Sequence, residues 1–279
     1  MKTAVSSYSF SQYLGRGKDL LWAVETAAEL GFEGIEFTGL GGEAPEDLAA
    51  GLKDACAAFG LPIVSYTVGA NLLDKTPAAI EGVKRELQIA AILGAPVLRH
   101  DAAWRGPEDS KDEAAFDAVL PQLAEACREI TQFAAELGIR TCVENHGYFV
   151  QDSVRCAKLA RAVGDRNFGW LIDIGNFLCA DDDPVVATKR MAPFVVHVHA
   201  KDFRVTPAAG SAGKGGLRSR GGALLEGTAV GEGSVDVPAC MAALKAVGYS
   251  GFVSIEYEGS DDCLKGLAAG LKNLRAAIG

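Results

Sequence analysis

Four histidines serve the whole 279-residue chain, and each closes an apolar run that reads as a β-strand. His100 ends APVLRH, His146 ends IRTCVENH, and His197 and His199 stand two apart in FVVHVHAKD. Alternate residues of a strand project to opposite faces, so Val195, His197, His199 and Lys201 share one face and Val196, Val198 and Ala200 the other. A core histidine satisfied by one hydrogen bond accounts for any of the four singly. It accounts poorly for all four lying at strand ends and none on a helix. Acidic residues show the same habit. CVENH puts Glu144 in phase with Cys142 and His146, WLIDIGN puts Asp173 in phase with Gly169 and Leu171, and VSIEYEG puts Glu256 in phase with Phe252 and Ser254. Buried carboxylates are costly unless paired or metal-bound. Three of them converging on one imidazole repel one another unless a cation sits among them. Two Glu, one Asp and one His make a mostly hard-oxygen donor set, suited to Mn²⁺, Mg²⁺ or Co²⁺ rather than to a thiolate-seeking metal.

Such a centre supports one kind of chemistry well. A metal bound to a carbonyl and a neighbouring hydroxyl stabilises the enediolate that forms when the adjacent carbon loses its proton. One carboxylate removes that proton and another returns it. Glu144 and Glu256, on the fifth and eighth predicted strands, are the pair placed to flank a sugar in this way. Lys201, in phase with His199, either stabilises the developing negative charge or pairs with Asp202 or Glu232. His146 is either an additional base or substrate ligand, or the partner that orients Glu144. Glu36, Tyr66, Arg99, His100 and Trp104 fall at other strand ends or in adjoining loops. They are candidates for hydroxyl recognition or stacking, with strand parity undecided there.

The elements that must carry these groups alternate regularly. Strands are predicted over 3–7, 33–37, 61–67, 96–100, 139–145, 168–174, 194–201 and 252–257. Helices are predicted over 18–30, 46–59, 76–93, 113–137, 152–163, 184–191, 238–247 and 263–277, with Thr76 an N-cap candidate, Pro77 in the first turn and a break expected near Pro121. Gly31, Gly60, Gly94, Gly138, Gly164 and Gly248 stop helices before the next strand. Alternating βα units imply a parallel sheet, and eight of them imply closure into a single (β/α)8 TIM barrel over residues 1–279. The exception is 203–232, rich in Gly, Ser and Ala with Arg204, Lys214, Arg218 and Arg220. It reads as a long Gly-rich loop after strand seven, either a lid over substrate or a mobile surface segment.

Composition narrows the partners. The net charge is −9 and no dense Lys/Arg run occurs, which argues against nucleic acid. No apolar run of about 18 residues suggests a membrane span, and the N-terminus is not a signal peptide. Seven cysteines without CxxC spacing read as reduced apolar fillers in a cytoplasmic protein.

Taken together, Glu144, Asp173 in DIGN, His199 in HVHAKD and Glu256 in SIEYEG resemble the sugar isomerase/epimerase superfamily, the xylose isomerase-like TIM barrels. The closest members in pattern are the ketose 3-epimerases and inosose dehydratases. The likeness runs from GFEGIEF to the last helix and is most specific in the HxKD segment and the GEGSVDV…GYSGFVSIEYE block. It implies one divalent metal held by Glu144, Asp173, His199 and Glu256, most often Mn²⁺, with Mg²⁺, Co²⁺ or Zn²⁺ as alternatives. It also implies acid/base roles for Glu144 and Glu256 on opposite faces of a small carbohydrate, with His146, Asn176, Lys201, His100 and Trp104 around it. Many members carry a histidine three residues after the metal-binding Asp, where this chain has Asn176. The activity implied first is isomerisation or epimerisation of a keto-sugar. The rival is a lyase or dehydratase of a keto-sugar, 3-keto-glycoside or inosose. A repair nuclease like endonuclease IV would need a richer zinc cluster and a basic face, and the intact ligand set disfavours a non-catalytic binder. Assembly into a homo-oligomer is compatible with this reading.

Overall fold

In the computed structural model, which describes residues 1–73, 77–207 and 216–279, eight parallel strands close into a barrel. The strands are β1 (Lys2–Ser6), β2 (Ile35–Thr38), β3 (Ile63–Val68), β4 (Val97–His100), β5 (Arg140–Glu144), β6 (Phe168–Asp173) and β7 (Val195–Ala200); after an inserted sheet of β8 (Asp202–Thr206), β9 (Leu217–Arg218) and β10 (Leu224–Thr228), β11 (Phe252–Ile255) pairs with β7 and β1. Every predicted barrel strand is present, displaced by at most two residues at an end. The helices are α1 (Ser11–Leu14), α2 (Leu20–Leu30), α3 (Pro45–Ala58), α4 (Pro77–Leu93), α5 (Glu113–Glu136), α6 (Ser153–Val163), α7 (Pro184–Met191), α8 (Val237–Ala246) and α9 (Cys263–Ile278). Thr76 lies outside the described residues.

Aspartates set most helix starts. Asp19, Asp112, Asp152, Asp183, Asp236 and Asp262 each accept a backbone N–H of the first turn, which is why α2 and α6 begin two residues and one residue inside the predicted spans. The six glycines read as stops all have positive φ, a conformation that side chains other than glycine adopt at a cost. Pro121 does not break α5. It and Asp117, whose carbonyl loses its partner, are both exposed, so the missing hydrogen bond falls on the solvent side. The short helix Ser7–Phe10 and α1 went unpredicted because their residues carry no helical apolar spacing.

The outer faces of the strands and the inner faces of the helices form one apolar core, with Phe37, Leu52, Leu87 and Trp170 fully buried. The seven cysteines are free and buried, as small fillers should be. Among the described residues no helix is long and apolar enough to cross a membrane.

The stretch read as a loop is built instead around an antiparallel sheet, ordered β8–β10–β9; Lys214 lies outside the described residues. One buried side chain closes its neck. The Asp202 carboxylate accepts the backbone N–H groups of Phe203, Gly231, Gly233 and Val235 at 2.9–3.1 Å. This ties the HAKD segment to the GEGSVDV block. Replacing Asp202 with Ala strands these donors, and we expect roughly 2–3 kcal/mol of lost stability, read as a lower urea midpoint.

Candidate active site and metal centre

The C-terminal ends of β5, β6, β7 and β11 bring Glu144, Asp173, His199 and Glu256 together. One ligand atom from each lies within 4.8 Å of the others. His199 Nδ1 is 3.6 Å from Glu144 Oε1, 3.6 Å from Glu256 Oε2 and 3.9 Å from Asp173 Oδ2. Backbone geometry aims the aspartate. Its Oδ1 accepts the N–H groups of Gly175 and Asn176 at 2.8 and 2.9 Å, while Asn145 clamps its backbone N–H and carbonyl. Oδ2 is left facing the cluster, buried and without a hydrogen-bond partner among the described residues. The turn that does this requires glycine at 175, since a Cβ there would stand 2.5 Å from the Lys201 carbonyl oxygen.

Buried acceptors with no donor fit a divalent cation. His199 Nδ1 is likewise buried without a hydrogen bond, and Glu36 Oε1 lies 2.7 Å from the opposite ring nitrogen. Burial opposes charge on His199, but Glu36, Glu256 and Glu144 outweigh it and raise its pKa, so a bound ion would displace the Nδ1 proton while the Glu36 carboxylate keeps the other on Nε2. A second acid–histidine group, Glu36, His197 and His199, lies deeper in the barrel. Glu36 Oε2 is paired with His197 Nε2 at 2.8 Å, and that nitrogen also contacts Ser254 Oγ at 2.9 Å, while Glu36 Oε1 and His199 Nε2 stand 2.7 Å apart without a hydrogen bond. The upper four are therefore the better metal-holding group, with three hard oxygens and one imidazole. Glu36→Gln is expected to weaken Mn²⁺ binding by roughly 10- to 100-fold, measured by calorimetric titration of the metal-free protein.

The electrostatics match. Burial raises the Asp173 carboxyl to about 7, and neighbouring Glu144 and Glu256 add to the shift although Lys201 opposes it. Burial opposes charge on Glu256 too, but Lys201 and His199 outweigh it and hold its pKa well below the usual carboxylate range. Lys201 Nζ lies 2.8 Å from Glu256, 2.9 Å from Glu258 and 3.5 Å from Asp173. Arg99 Nη2 reaches Glu144 at 2.6 Å and Asp101 at 2.7 Å. Asn176 Nδ2 donates to Glu144 Oε1 at 2.9 Å.

Residues 24–277 match the family model described as xylose isomerase-like TIM barrel. The chain belongs to the xylose isomerase-like TIM barrel family. It is 30% identical over 262 residues to the rhizopine catabolism protein MocC of Rhizobium meliloti, covering 88% of this chain and 76% of that one. It is 27% identical over 263 residues to an inosose dehydratase of Clostridium botulinum, covering 88% and 84%. Among solved structures, the IOLI protein with a bound zinc atom superposes with a TM-score of 0.79 at 15% identity, covering 100% and 98% of the two chains.

The other sequence candidates divide by parity. His146 lies beside the cluster but pairs with Asp101, Nδ1 to Oδ1 at 2.8 Å, and not with Glu144. Trp104 donates its Nε1–H to Asp101 Oδ2 at 3.0 Å and meets the His146 ring edge-on at 4.7 Å. Lys201 pairs with neither Asp202 nor Glu232 in these contacts. His100 is a correction. Register puts it opposite Val143 on the helix side of β4, fully buried, its Nδ1 against the Asp101 carbonyl. Burial pushes its pKa down to about 4, so it is a neutral core residue that lines neither cavity at the barrel mouth. Tyr66 also faces outward, donating to Glu86 on α4. Arg99 and Glu36 face inward.

Sequence reasoning overlooked Asp101 and Glu258. Period two carried to the next residue would have found both: Asp101 continues the phase of Arg99, and Glu258 that of Glu256.

Proposed function

We propose that this barrel is a divalent-metal-dependent enzyme that takes the proton from the carbon next to the carbonyl of a keto-sugar or keto-inositol. The convergence of Glu144, Asp173, His199 and Glu256, with Asp173 Oδ2 buried and without a hydrogen bond, is the observation that carries it. A bound ion would supply Lewis acidity to the substrate carbonyl and so acidify the neighbouring C–H. Those four residues would hold it. Glu256 is the more accessible of the two glutamates, its side chain 12% exposed against 3% for Glu144, and we assign it as the base. Lys201 orients it and sets positive charge near the oxygen that becomes anionic. Arg99 and Asn176 fix Glu144 from the other side.

Two outcomes share this first step. Isomerisation or epimerisation needs Glu144 to return the proton. Elimination needs instead an acid at the neighbouring carbon, and the cavity wall carries one, His146 backed by Asp101 at 2.8 Å. That pair favours the lyase or dehydratase reading, and the resemblance to an inosose dehydratase supports it. The test is solvent exchange. Mn²⁺-loaded protein in D₂O with a ketohexose, 2-keto-inositol or a 3-keto-glucoside should yield an unsaturated or deoxygenated product from at least one. Deuterium incorporation with inversion and no loss of a substituent would establish the epimerase outcome. Neither event across the panel would overturn the assignment.

A further inference from the structure

Two cavities meet at the barrel mouth. The inner one, about 370 Å³, is walled by Arg99, Asp101, Glu144 and Glu256. The outer one, about 420 Å³, touches none of the four cluster residues. Tyr8, Trp104, His146, Lys201 and Glu258 line both and form the shared wall. Each is large enough alone for a small-molecule site. The inner one already suffices for a sugar ring, so the outer one has room for something attached to it.

Its lining says what. Rings of Tyr8, Trp104, Tyr148 and Tyr257 and the side chain of Leu217 face it. Lys201 is the one Lys or Arg among the described lining residues, and it is held by Glu256 and Glu258. A phosphate would find no available cation among these described residues, whereas an uncharged ring finds aromatic faces. Tyr148 is placed at backbone cost. Its φ is +62°, in the left-handed region, and its hydroxyl donates to the Arg218 carbonyl at 2.9 Å, tying the loop after β5 to β9 of the inserted sheet. Strained residues of this kind persist where a ligand clamp needs them.

We propose that the outer cavity is a subsite for an uncharged, ring-bearing aglycone, so that the substrate is a 3-keto-glycoside and not a free or phosphorylated keto-sugar. This rests on the proton-abstraction reading above and deepens it. His146, on the shared wall, stands where the bond between sugar and aglycone would cross. When Glu256 takes the proton from C2, the C–H electron pair forms the C1–C2 double bond as the bond from C1 to the aglycone oxygen breaks. That oxygen leaves with the C1–O electron pair and takes a proton from His146, releasing an alcohol and an enone.

The experiment compares benzyl and methyl 3-keto-glucosides, both anomers, on the Mn²⁺-loaded protein. Their leaving alcohols are similarly acidic, so a difference reads the aglycone contact. The benzyl compound should show kcat/KM about tenfold higher. Tyr148→Ala and Leu217→Ala should erase most of that preference, and Tyr148→Phe, which retains the ring, should preserve it. Quenching of tryptophan fluorescence by unreactive benzyl glucoside, against methyl glucoside, gives a readout independent of turnover. Equal kcat/KM values with equal binding would overturn the subsite and leave the proton-abstraction reading intact. Preferential benzyl binding without turnover of either compound would support the subsite and overturn that reading.

Discussion

Glu256→Gln should reduce turnover by roughly 10²–10⁴-fold at saturating Mn²⁺. The amide keeps the shape and an oxygen for the cluster but cannot accept a proton. Lys201 then loses its 2.8 Å carboxylate partner and retains Glu258 at 2.9 Å, so the ammonium stays in place and the loss reports the base itself. Solvent deuterium exchange of the substrate C–H, measured apart from product formation, should fall in parallel. Full turnover in this variant would remove Glu256 from the acid/base role. Glu144→Gln provides the contrast. If elimination is the reaction, its product yield falls through metal binding, and excess Mn²⁺ restores part of it. If epimerisation is the reaction, no metal concentration rescues it.

The second large effect is on stability. Without a metal ion, Glu144, Asp173 and Glu256 crowd the His199 ring with Arg99 and Lys201 as their other positive neighbours. Saturating Mn²⁺ at about 100 times Kd should add about 2.7 kcal/mol, roughly 4–6 °C in Tm for a chain of this length. The folded Asp173 carboxyl sits at about 7, above its ordinary value of 3.8. Its contribution is therefore fully present below the ordinary value and is lost as pH rises towards and through about 7, because the folded state then holds a proton that the unfolded state has released. The metal-free protein should lose stability across that window, and loading with Mn²⁺ should flatten the slope by keeping the carboxylate ionised. Asp173→Asn should remove both behaviours. It should show no Mn²⁺ shift, yet be no less stable than the metal-free parent at pH 8 in a calorimetric scan. A large Mn²⁺ shift surviving in Asp173→Asn would place the ion elsewhere.

Much of this was legible from pattern alone, for a physical reason. Barrel strands are short and their side chains alternate strictly, so Glu144, Asp173, His199 and Glu256 could each be phased against apolar neighbours. His100 failed the same reasoning because Arg99 beside it is equally polar, and only pairing with β5 decides which of the two turns inward. The inserted sheet was missed because its strands are short and set in a stretch dominated by Gly, Ser and Ala, while its anchor, Asp202, works through backbone N–H groups that have no sequence signature. Epimerisation ranked first in the sequence because two glutamates suffice for it. The link between His146 and Asp101 spans 45 positions, and strand periodicity does not reach that far.

The Asp202 staple also makes the segment beyond it modular. A single carboxylate cinches the chain where it leaves β7 and where it returns, with its four hydrogen bonds all made to backbone. What is threaded between those two points meets the barrel again through Tyr148 and the Arg218 carbonyl and through Arg220 and Asp152, so changes in it act on the mouth and not on the neck. Natural variation, or an engineer, could exchange this cassette to retune what the barrel accepts while the proton chemistry beneath stays the same.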